Sequence, residues 1–333
     1  MKLLVTGGLG FIGTNFIKYT ASRYPETHII NIDKIGIGSN PENLSEFKEK
    51  ELYKFIKGDI AKENLSEILG DVDAIINFAA ETHVDRSIAD PKPFIESNIL
   101  GTYNLLETIR KRDNPIRHVQ ISTDEIYGDI LVGSFVEEDR LKPSNPYSAT
   151  KASADMLCLA YNRTYGLDTV ITRCTNNFGP YQYPEKLIPK TIIRACKKLQ
   201  IPVYGTGENI RDWLYVLDHC TAIDTVLRKG KSGEIYNISS DNELSTISIV
   251  EKILEYMDKP HDLISYVDDR PGHDIRYGLD SSKLRKNLKW KPEHDFNTSI
   301  KYTIDWYLAN ESWWSKIISA KILEPTPWKT NKG

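Results

Sequence analysis

Tyr147 and Lys151 stand four residues apart, and the run Ser122-Thr123-Asp124-Glu125-Ile126-Tyr127-Gly128 precedes them. On a helix, residues with that spacing lie on one face, one above the other. A cation beside a phenol favours the phenolate. Tyrosine ionises near about 10 in water, and a lysine neighbour brings it toward the range where it takes a proton from an alcohol. Tyr127 has no lysine four residues on and is the weaker candidate base. Asp124 and Glu125 add two carboxyls, and two carboxyls in one site tend to separate into an acid and a base. These parts suit oxidation of an alcohol followed by proton transfers nearby. On the residues alone, Asp124-Glu125 is equally a strand-end turn carrying two solvated acids. Consecutive strand residues point to opposite faces, so both reach one ligand only if the chain leaves the strand there, which Gly128 permits.

The elements that must position these residues follow a regular alternation. Short apolar runs read as strands at Lys2 to Thr6, His28 to Ile32, Lys54 to Ile60, Ala74 to Ala80, Arg117 to Ser122 and Asp168 to Arg173. Helical patterns lie between several of them, at Phe11 to Tyr19, Pro93 to Arg110 and Ser148 to Tyr165. Continuous apolar strands alternating with helices imply a parallel sheet covered on both faces. The expected fold is a doubly wound, Rossmann-type α/β domain over residues 1–175. Beyond it, Asn176 to Pro189 is rich in Asn, Gly, Pro and Tyr, as functional loops are. Short mixed elements then read as a smaller α+β substrate domain over 176–325, with Pro202 to Trp213, His219 to Arg228, Glu234 to Ile238, Ile247 to Met257 and Asp268 to Tyr277 as its segments. The segment from about Asp212 to Ile238 is a candidate to pack back onto the first sheet. Residues 326–333 read as a polar, proline-bearing tail.

Gly7-x-x-Gly10-x-x-Gly13 follows the first strand directly and opens the first helix, with Gly8 as an extra glycine. Glycines allow a tight turn and close approach of backbone to a pyrophosphate, and the helix N-terminus offers free N–H groups to it. Asp33 ends the second strand about 20 residues later, where a carboxylate accepts from ribose hydroxyls. That carboxylate repels a 2′-phosphate, so NAD is expected rather than NADP. Asp59, at the end of the third strand, is placed to meet the adenine or simply to make a turn.

Composition bounds the function. The chain has 333 residues, 40% apolar and 27% charged, with a formal net charge of -3. Neither nucleic acid nor an anionic membrane is indicated as a partner. Cys158, Cys174, Cys196 and Cys220 have no metal-ligand spacing, so no metal is expected; they read as small buried hydrophobes in a reducing compartment. Met1-Lys2 leads straight into a strand, unlike a signal peptide, and no run approaches the roughly 18 apolar residues that span a bilayer. A cytoplasmic location is expected. Apolar residues beyond one face of the helices Pro93 to Arg110 and Ser148 to Tyr165, among them Ile99, Leu105, Leu106, Met156, Leu157 and Leu159, suggest a homodimer built through a four-helix contact.

Several strings make the chain resemble the extended short-chain dehydrogenase/reductase family, and within it the nucleotide-sugar 4,6-dehydratases. They are Val5 to Gly13, Ala79 to Ser87, Ser122 to Gly128, Asn176 to Pro180, Lys186 to Pro189, Arg211-Asp212-Trp213 and Arg270 to Asp274. The resemblance covers nearly the whole chain. It implies that Phe11, Ile12, Asp33, Lys34, Asp59, Ile60, Phe78, Ala79, Ala80, Glu81, Thr82, Ser97, Lys151 and Asn177 contact NAD. It implies that Asn176, Lys186, Leu187, Pro202, Tyr204, Arg211, Arg270 and His273 hold the nucleotide sugar, with Thr82 and His83 beside them and the two arginines on the diphosphate. Where the family often has an asparagine near the nucleotide, this chain has Thr246. The resemblance also implies roles in catalysis: Tyr147 as base, Lys151 and Thr123 as its supports, Glu125 as a second base and Asp124 as an acid. The rivals on the same fold are a 4-epimerase, a decarboxylase and a dehydratase for another nucleotide sugar such as a UDP-hexose. A non-catalytic NAD sensor is a rival of another class.

Overall fold

The computed structural model describes residues 1–319 and 322–326. Its centre is a seven-stranded sheet in the order β10-β6-β5-β4-β1-β2-β3. The strands are β1 (Lys2–Thr6), β2 (His28–Asp33), β3 (Tyr53–Lys57), β4 (Ala74–Asn77), β5 (Arg117–Thr123), β6 (Thr169–Cys174) and β10 (Ile235–Ile238). Every pairing is parallel. Chain order reverses between β1 and β4, and ligands of such sheets sit beyond the strand ends at that point. Leu3, Val5, Ile76, Val119 and Val170 on one face, and Leu4, Ile75 and Ile171 on the other, enter separate apolar clusters. This is the two-sided burial that continuous apolar strands predict.

The sheet takes its last strand from far along the chain. β10 pairs with β6, and the helix before it, Val216–Lys229, lies against the first helix, Phe11–Arg23. There the Tyr24 hydroxyl donates to Asp224 at 2.7 Å and Arg228 lies 3.7 Å from the Tyr24 ring centroid. Both elements fall inside the stretch marked as a candidate to return. The remaining strands make two small sheets. One orders β11 (Glu243–Ser245), β9 (Ile210–Tyr215) and β7 (Asn176–Phe178); the other pairs β12 (Ile264–Val267) with β8 (Ile201–Tyr204). Asp268 to Tyr277, read as one of the mixed segments of the smaller domain, is mostly irregular and touches the sheets through the bridge Ile210–Arg276.

Two expected strands end early, for the same reason. The third stops at Lys57 and the fourth at Asn77, so Gly58 to Ile60 and Phe78 to Ala80 are free to line the cleft. Their backbone is still held, by Gly58 N to the Asp33 carbonyl at 3.1 Å and Phe78 N to the Thr6 carbonyl at 3.1 Å. The helix expected from Ser148 starts at Pro146, because Asn145 caps it and exchanges hydrogen bonds with Ser148. The helix over Lys92 to Arg110 widens into a π-turn at Ile95–Leu100. The turn lets the Asn98 amide pair with both the N–H and the C=O of Glu81, at 2.9 and 3.1 Å, and donate to Thr150 at 2.9 Å. Leu105 and Leu106 are fully buried in the chain's own core, so neither belongs to an outward-facing surface; Ile95, Leu100, Tyr103, Met156 and Tyr165 are the exposed ones. The tail expected at 326–333 lies, Thr326 apart, outside the described residues.

Phe178 joins the layers. It is fully buried, with Tyr215 and Phe296 tilted against it at 5.6 and 5.3 Å. Phe178→Ala is expected to cost about 3–5 kcal/mol of stability. Denaturant unfolding checks this: the midpoint falls while the slope is kept, and an unmoved midpoint refutes the role.

Candidate active site

The glycine turn comes first. Gly7 has φ 68, which a side chain rarely adopts, and a Cβ there would lie 2.7 Å from the Ala79 nitrogen. A Cβ on Gly13 would lie 2.5 Å from the Gly7 carbonyl. Close packing of the turn therefore requires bare backbone. The helix that follows has Gly10 as N-cap, no side-chain cap and no acid in its first turn. Its leading N–H groups and partial positive charge are left to an anion. Asp33 is buried and already accepts from Leu9 N at 3.1 Å, Ile35 N at 2.8 Å and Ser39 Oγ at 2.8 Å. It shapes the loop after β2 as well as the cleft wall. Lys34 reaches Ser97 Oγ at 2.7 Å and Glu81 at 2.9 Å, so these three residues meet one another at the rim.

One continuous cleft is lined by every residue read as a cofactor contact, from Gly7, Gly10, Phe11, Ile12 and Gly13 through Asp33, Lys34, Asp59 and Ile60 to Phe78–Thr82, Ser97, Tyr147, Lys151 and Asn177. Thr123, Asp124 and Glu125 line the same cleft. A second hollow adjoins it and shares Thr82, Glu125, Asn176 and Lys186. Its lining holds His83, Leu187, Pro202, Tyr204, Arg211, Thr246, Arg270 and His273. The structure thus brings all the sequence-derived candidates together around one bent cavity. The site fits an elongated dinucleotide on one more observation: Asn177 Oδ1 faces it buried, with no hydrogen-bond partner among the described residues.

β5 ends at Thr123, and Asp124–Ile126 turn as a 3-10 helix with Thr123 Oγ1 accepting from Glu125 N at 3.4 Å. Gly128, at φ 85, turns the chain away. The pleat is abandoned at the right residue, so both acids line the cavity. Their surroundings differ. Burial and the neighbouring Glu125 push the Asp124 carboxyl up to about 8. Burial raises Glu125 too, but Arg270, Lys186 and Arg211 pull it back. Asp124 Oδ2 and Glu125 Oε2 are buried without partners among the described residues. Asp124 is arranged to hold a proton, and Glu125, raised as well, is the one of the two with three cations countering the rise.

Tyr147 and Lys151 share one helix face as expected, yet Lys151 does not lower the Tyr147 phenol. Lys151 Nζ donates to the Ile121 carbonyl at 2.5 Å. Burial, then the charges of Glu125 and Asp124, push the phenol well up, and the Thr123 hydroxyl opposes them. The expected acidification is absent chiefly because the phenol is buried, with Glu125 the foremost charge against it, and because the ammonium bonds elsewhere. The arginines are not loose surface groups. Arg270 Nη1 donates to Asp85 at 2.9 Å; Arg211 donates to the Asp274 and Ile275 carbonyls at 2.8 and 3.2 Å and lies 4.1 Å from the Tyr277 ring centroid. Burial lowers His83, with Lys186 and Arg86 adding to it, and burial lowers His273 to about 4, so both histidines are neutral. Asp85 was not foreseen. It also accepts from the Tyr204 hydroxyl at 3.2 Å and anchors the substrate wall. Its signal was its place in the Ala79 to Ser87 string, two residues after His83. Glu185 and Lys190, which line the same wall, carried none.

The Asp124 carboxyl binds its proton more tightly in the folded chain than in the unfolded one. Stability therefore falls as pH rises from the ordinary value of 3.8 toward about 8. Asp124→Asn is expected to raise stability by on the order of a few kcal/mol at the upper end and by little at the lower. Unfolding midpoints across pH test it; a variant less stable at high pH means that Asp124 is held ionised.

The family model described as GDP-mannose 4,6 dehydratase matches residues 4–303. A dTDP-glucose 4,6-dehydratase of Escherichia coli is 45% identical, covering 96% of each chain. The low-salt glycan biosynthesis protein Agl12 of Haloferax volcanii is 47% identical over 93% of this chain and all of its own. The crystal structure of DesIV, a dTDP-glucose 4,6-dehydratase from Streptomyces venezuelae with NAD and TYD bound, superposes with a TM-score of 0.93 at 41% identity, covering 96% of this chain and 100% of that one. By sequence over its length and by fold, the chain belongs to the GDP-mannose 4,6 dehydratase family of extended short-chain dehydrogenase/reductases, in its dTDP-glucose 4,6-dehydratase branch.

Proposed function

We propose that the chain is an NAD-dependent hydro-lyase converting dTDP-glucose to dTDP-4-keto-6-deoxyglucose and water. The observation that carries this reading is the placement of Asp124 and Glu125 on one turn beside Tyr147, both raised by burial, with Arg270, Lys186 and Arg211 countering the rise at Glu125. Oxidation at carbon 4 alone needs only Tyr147, Lys151 and the dinucleotide, so a 4-epimerase has no use for the two carboxyls.

Phe11, Ile12 and the glycine turn would hold the pyrophosphate of NAD, Asp33 its adenosine ribose, and Lys151 and Asn177 the nicotinamide end. When bound, NAD supplies a positive charge, the acceptor for hydride from carbon 4 and the later donor of hydride to carbon 6. Tyr147 takes the carbon-4 hydroxyl proton, and Thr123 hydrogen-bonds the same oxygen. The resulting ketone acidifies the hydrogen at carbon 5. Glu125 removes that proton, while Asp124 protonates the departing carbon-6 hydroxyl, which leaves as water. Glu125 then returns its proton to carbon 5. Arg211 and Arg270 would meet the diphosphate, and Lys186, Asn176 and His83 the sugar.

The wider setting follows the same reading. Four free thiols suit a reducing cytoplasm, and among the described residues no helix is long and apolar enough to cross a membrane. Exposed Ile95, Leu100, Tyr103 and Met156 suit a homodimer formed through these helices. The product would feed rhamnose or other deoxysugars.

Two measurements test the proposal. Glu125→Gln is expected to oxidise carbon 4 and stall, accumulating reduced-nicotinamide absorbance, with turnover down by about 100-fold or more; Tyr147→Phe is expected to show little absorbance at all. Full turnover in the first, or normal absorbance in the second, refutes the assigned role. In a second test, mass spectrometry follows the NAD-loaded protein with dTDP-glucose and, separately, UDP-glucose. Loss of one water from the dTDP sugar alone is expected. Loss from the UDP sugar moves the substrate and keeps the mechanism, and a galactose product without mass change makes the protein an epimerase.

A further inference from the structure

One turn beyond Lys151, on the same face of its helix, lies Asp155. Asp155 accepts from Arg173 Nε at 2.9 Å, and the two side chains are 0% and 1% exposed. Arg173 extends across β6 and donates through Nη1 to the Tyr127 hydroxyl at 2.7 Å and the Glu137 carbonyl at 3.3 Å. Its guanidinium sits 4.8 Å from the Tyr127 ring centroid. The Tyr127 hydroxyl donates in turn to Asn237 Oδ1, on β10, at 2.9 Å. Tyr127 is the residue that closes the turn bearing Asp124 and Glu125. A single buried ion pair therefore joins the helix of Tyr147 and Lys151 to the turn of the two carboxyls. Neither member lines the cavity.

Such a pair is a poor source of stability, since apolar residues of similar volume often serve as well. Its position points to another use. Lys151 is desolvated, and burial weakens its hold on a proton. Asp155 is the foremost charge opposing that loss. The other titratable groups facing the ammonium are thiols, Cys158 on its own helix and Cys174 on β6, both raised by burial and neutral. We propose that the Asp155–Arg173 pair is a positioning device for the reaction, in which Asp155 is the counter-charge of Lys151 and Arg173, through Tyr127, sets the turn that presents Asp124 and Glu125. This rests on the roles given above to Tyr147 and Lys151.

The oxidation step isolates the effect. In an Asp124→Asn, Glu125→Gln background the two carboxyls no longer titrate, and mixing NAD-loaded protein with dTDP-glucose is read as reduced-nicotinamide absorbance. Asp155→Leu with Arg173→Met removes both charges together and spares the fold from a stranded ion. The oxidation rate is expected to fall about 100-fold, with KM little changed. The pH above which the rate declines is expected to move down, because a lysine without its counter-charge loses its proton sooner. Asp155→Glu is expected to restore that limb. A folded paired variant with the parental rate and pH limb overturns the proposal, and so does a slower variant whose limb has not moved. If the pair cannot be removed without unfolding, Asp155→Asn in the NAD-loaded protein is judged by the same limb. Tyr147→Phe separates the two readings: if it still oxidises, the assignment of Tyr147 fails; if it does not while the paired variant is unimpaired, only the positioning role fails.

Discussion

Two carboxyls on consecutive residues inside a protein cannot both carry charge at low cost. Much of this site can be read as the way that conflict is resolved. Asp124 takes the proton, because burial and its neighbour both disfavour its charge. Glu125 has Arg270, Lys186 and Arg211 to lean on. An acid and a base thus come from one turn of backbone. A pair in identical surroundings would share its proton indifferently and serve poorly as either.

The cations that make the difference are themselves tethered. Arg270 is held by Asp85, Lys186 by the Thr82 carbonyl at 3.1 Å, and Arg211 by the carbonyls of the 274–275 loop. Each comes from the smaller sheets or their loops, whereas the carboxyls stand just beyond the large sheet and Tyr147 on the helix packed against it. The electrostatics of the turn therefore depend on how firmly the two layers meet. Asn15 on the first helix donates to the Pro180 carbonyl at 2.9 Å, and Phe178 packs between Tyr215 and Phe296. These contacts place the cations as surely as the ion pairs do.

Much of this was legible in the sequence because its signals are local. β1 begins and ends at the residues its apolar run suggests, and the glycine spacing, Asp33 and the four-residue step from Tyr147 to Lys151 need no knowledge of distant chain. What stayed hidden depends on long-range pairing. The early ends of β3 and β4 follow from the need for bare backbone at the cleft, not from a change in hydrophobicity. The π-turn at Ile95–Leu100 exists because Asn98 finds Glu81, 17 residues away. Asp85 gains its meaning only from Arg270, 185 residues on. Leu105 and Leu106 looked like surplus apolar residues because the helix they ride is covered by the helix Pro146–Tyr165 as well as by the sheet.

The most instructive departure concerns Tyr147. Spacing suggested that Lys151 makes it acidic, yet the phenol is held well above its ordinary value, with burial as the main cause and Glu125 the foremost charge behind it. A base that keeps its proton so firmly serves catalysis only when the charge balance around it changes. Asp124 already carries a proton, which removes one of the two opposing charges. The Thr123 hydroxyl, which donates to Asp124 at 3.1 Å, also opposes the rise of the phenol. The remaining positive charge must come from what binds, together with a Lys151 that has stayed cationic. The tyrosine would then become a base only in a loaded site, and the lysine's own counter-charge, one turn below it, becomes as much a condition of the chemistry as the spacing that first drew attention to the pair.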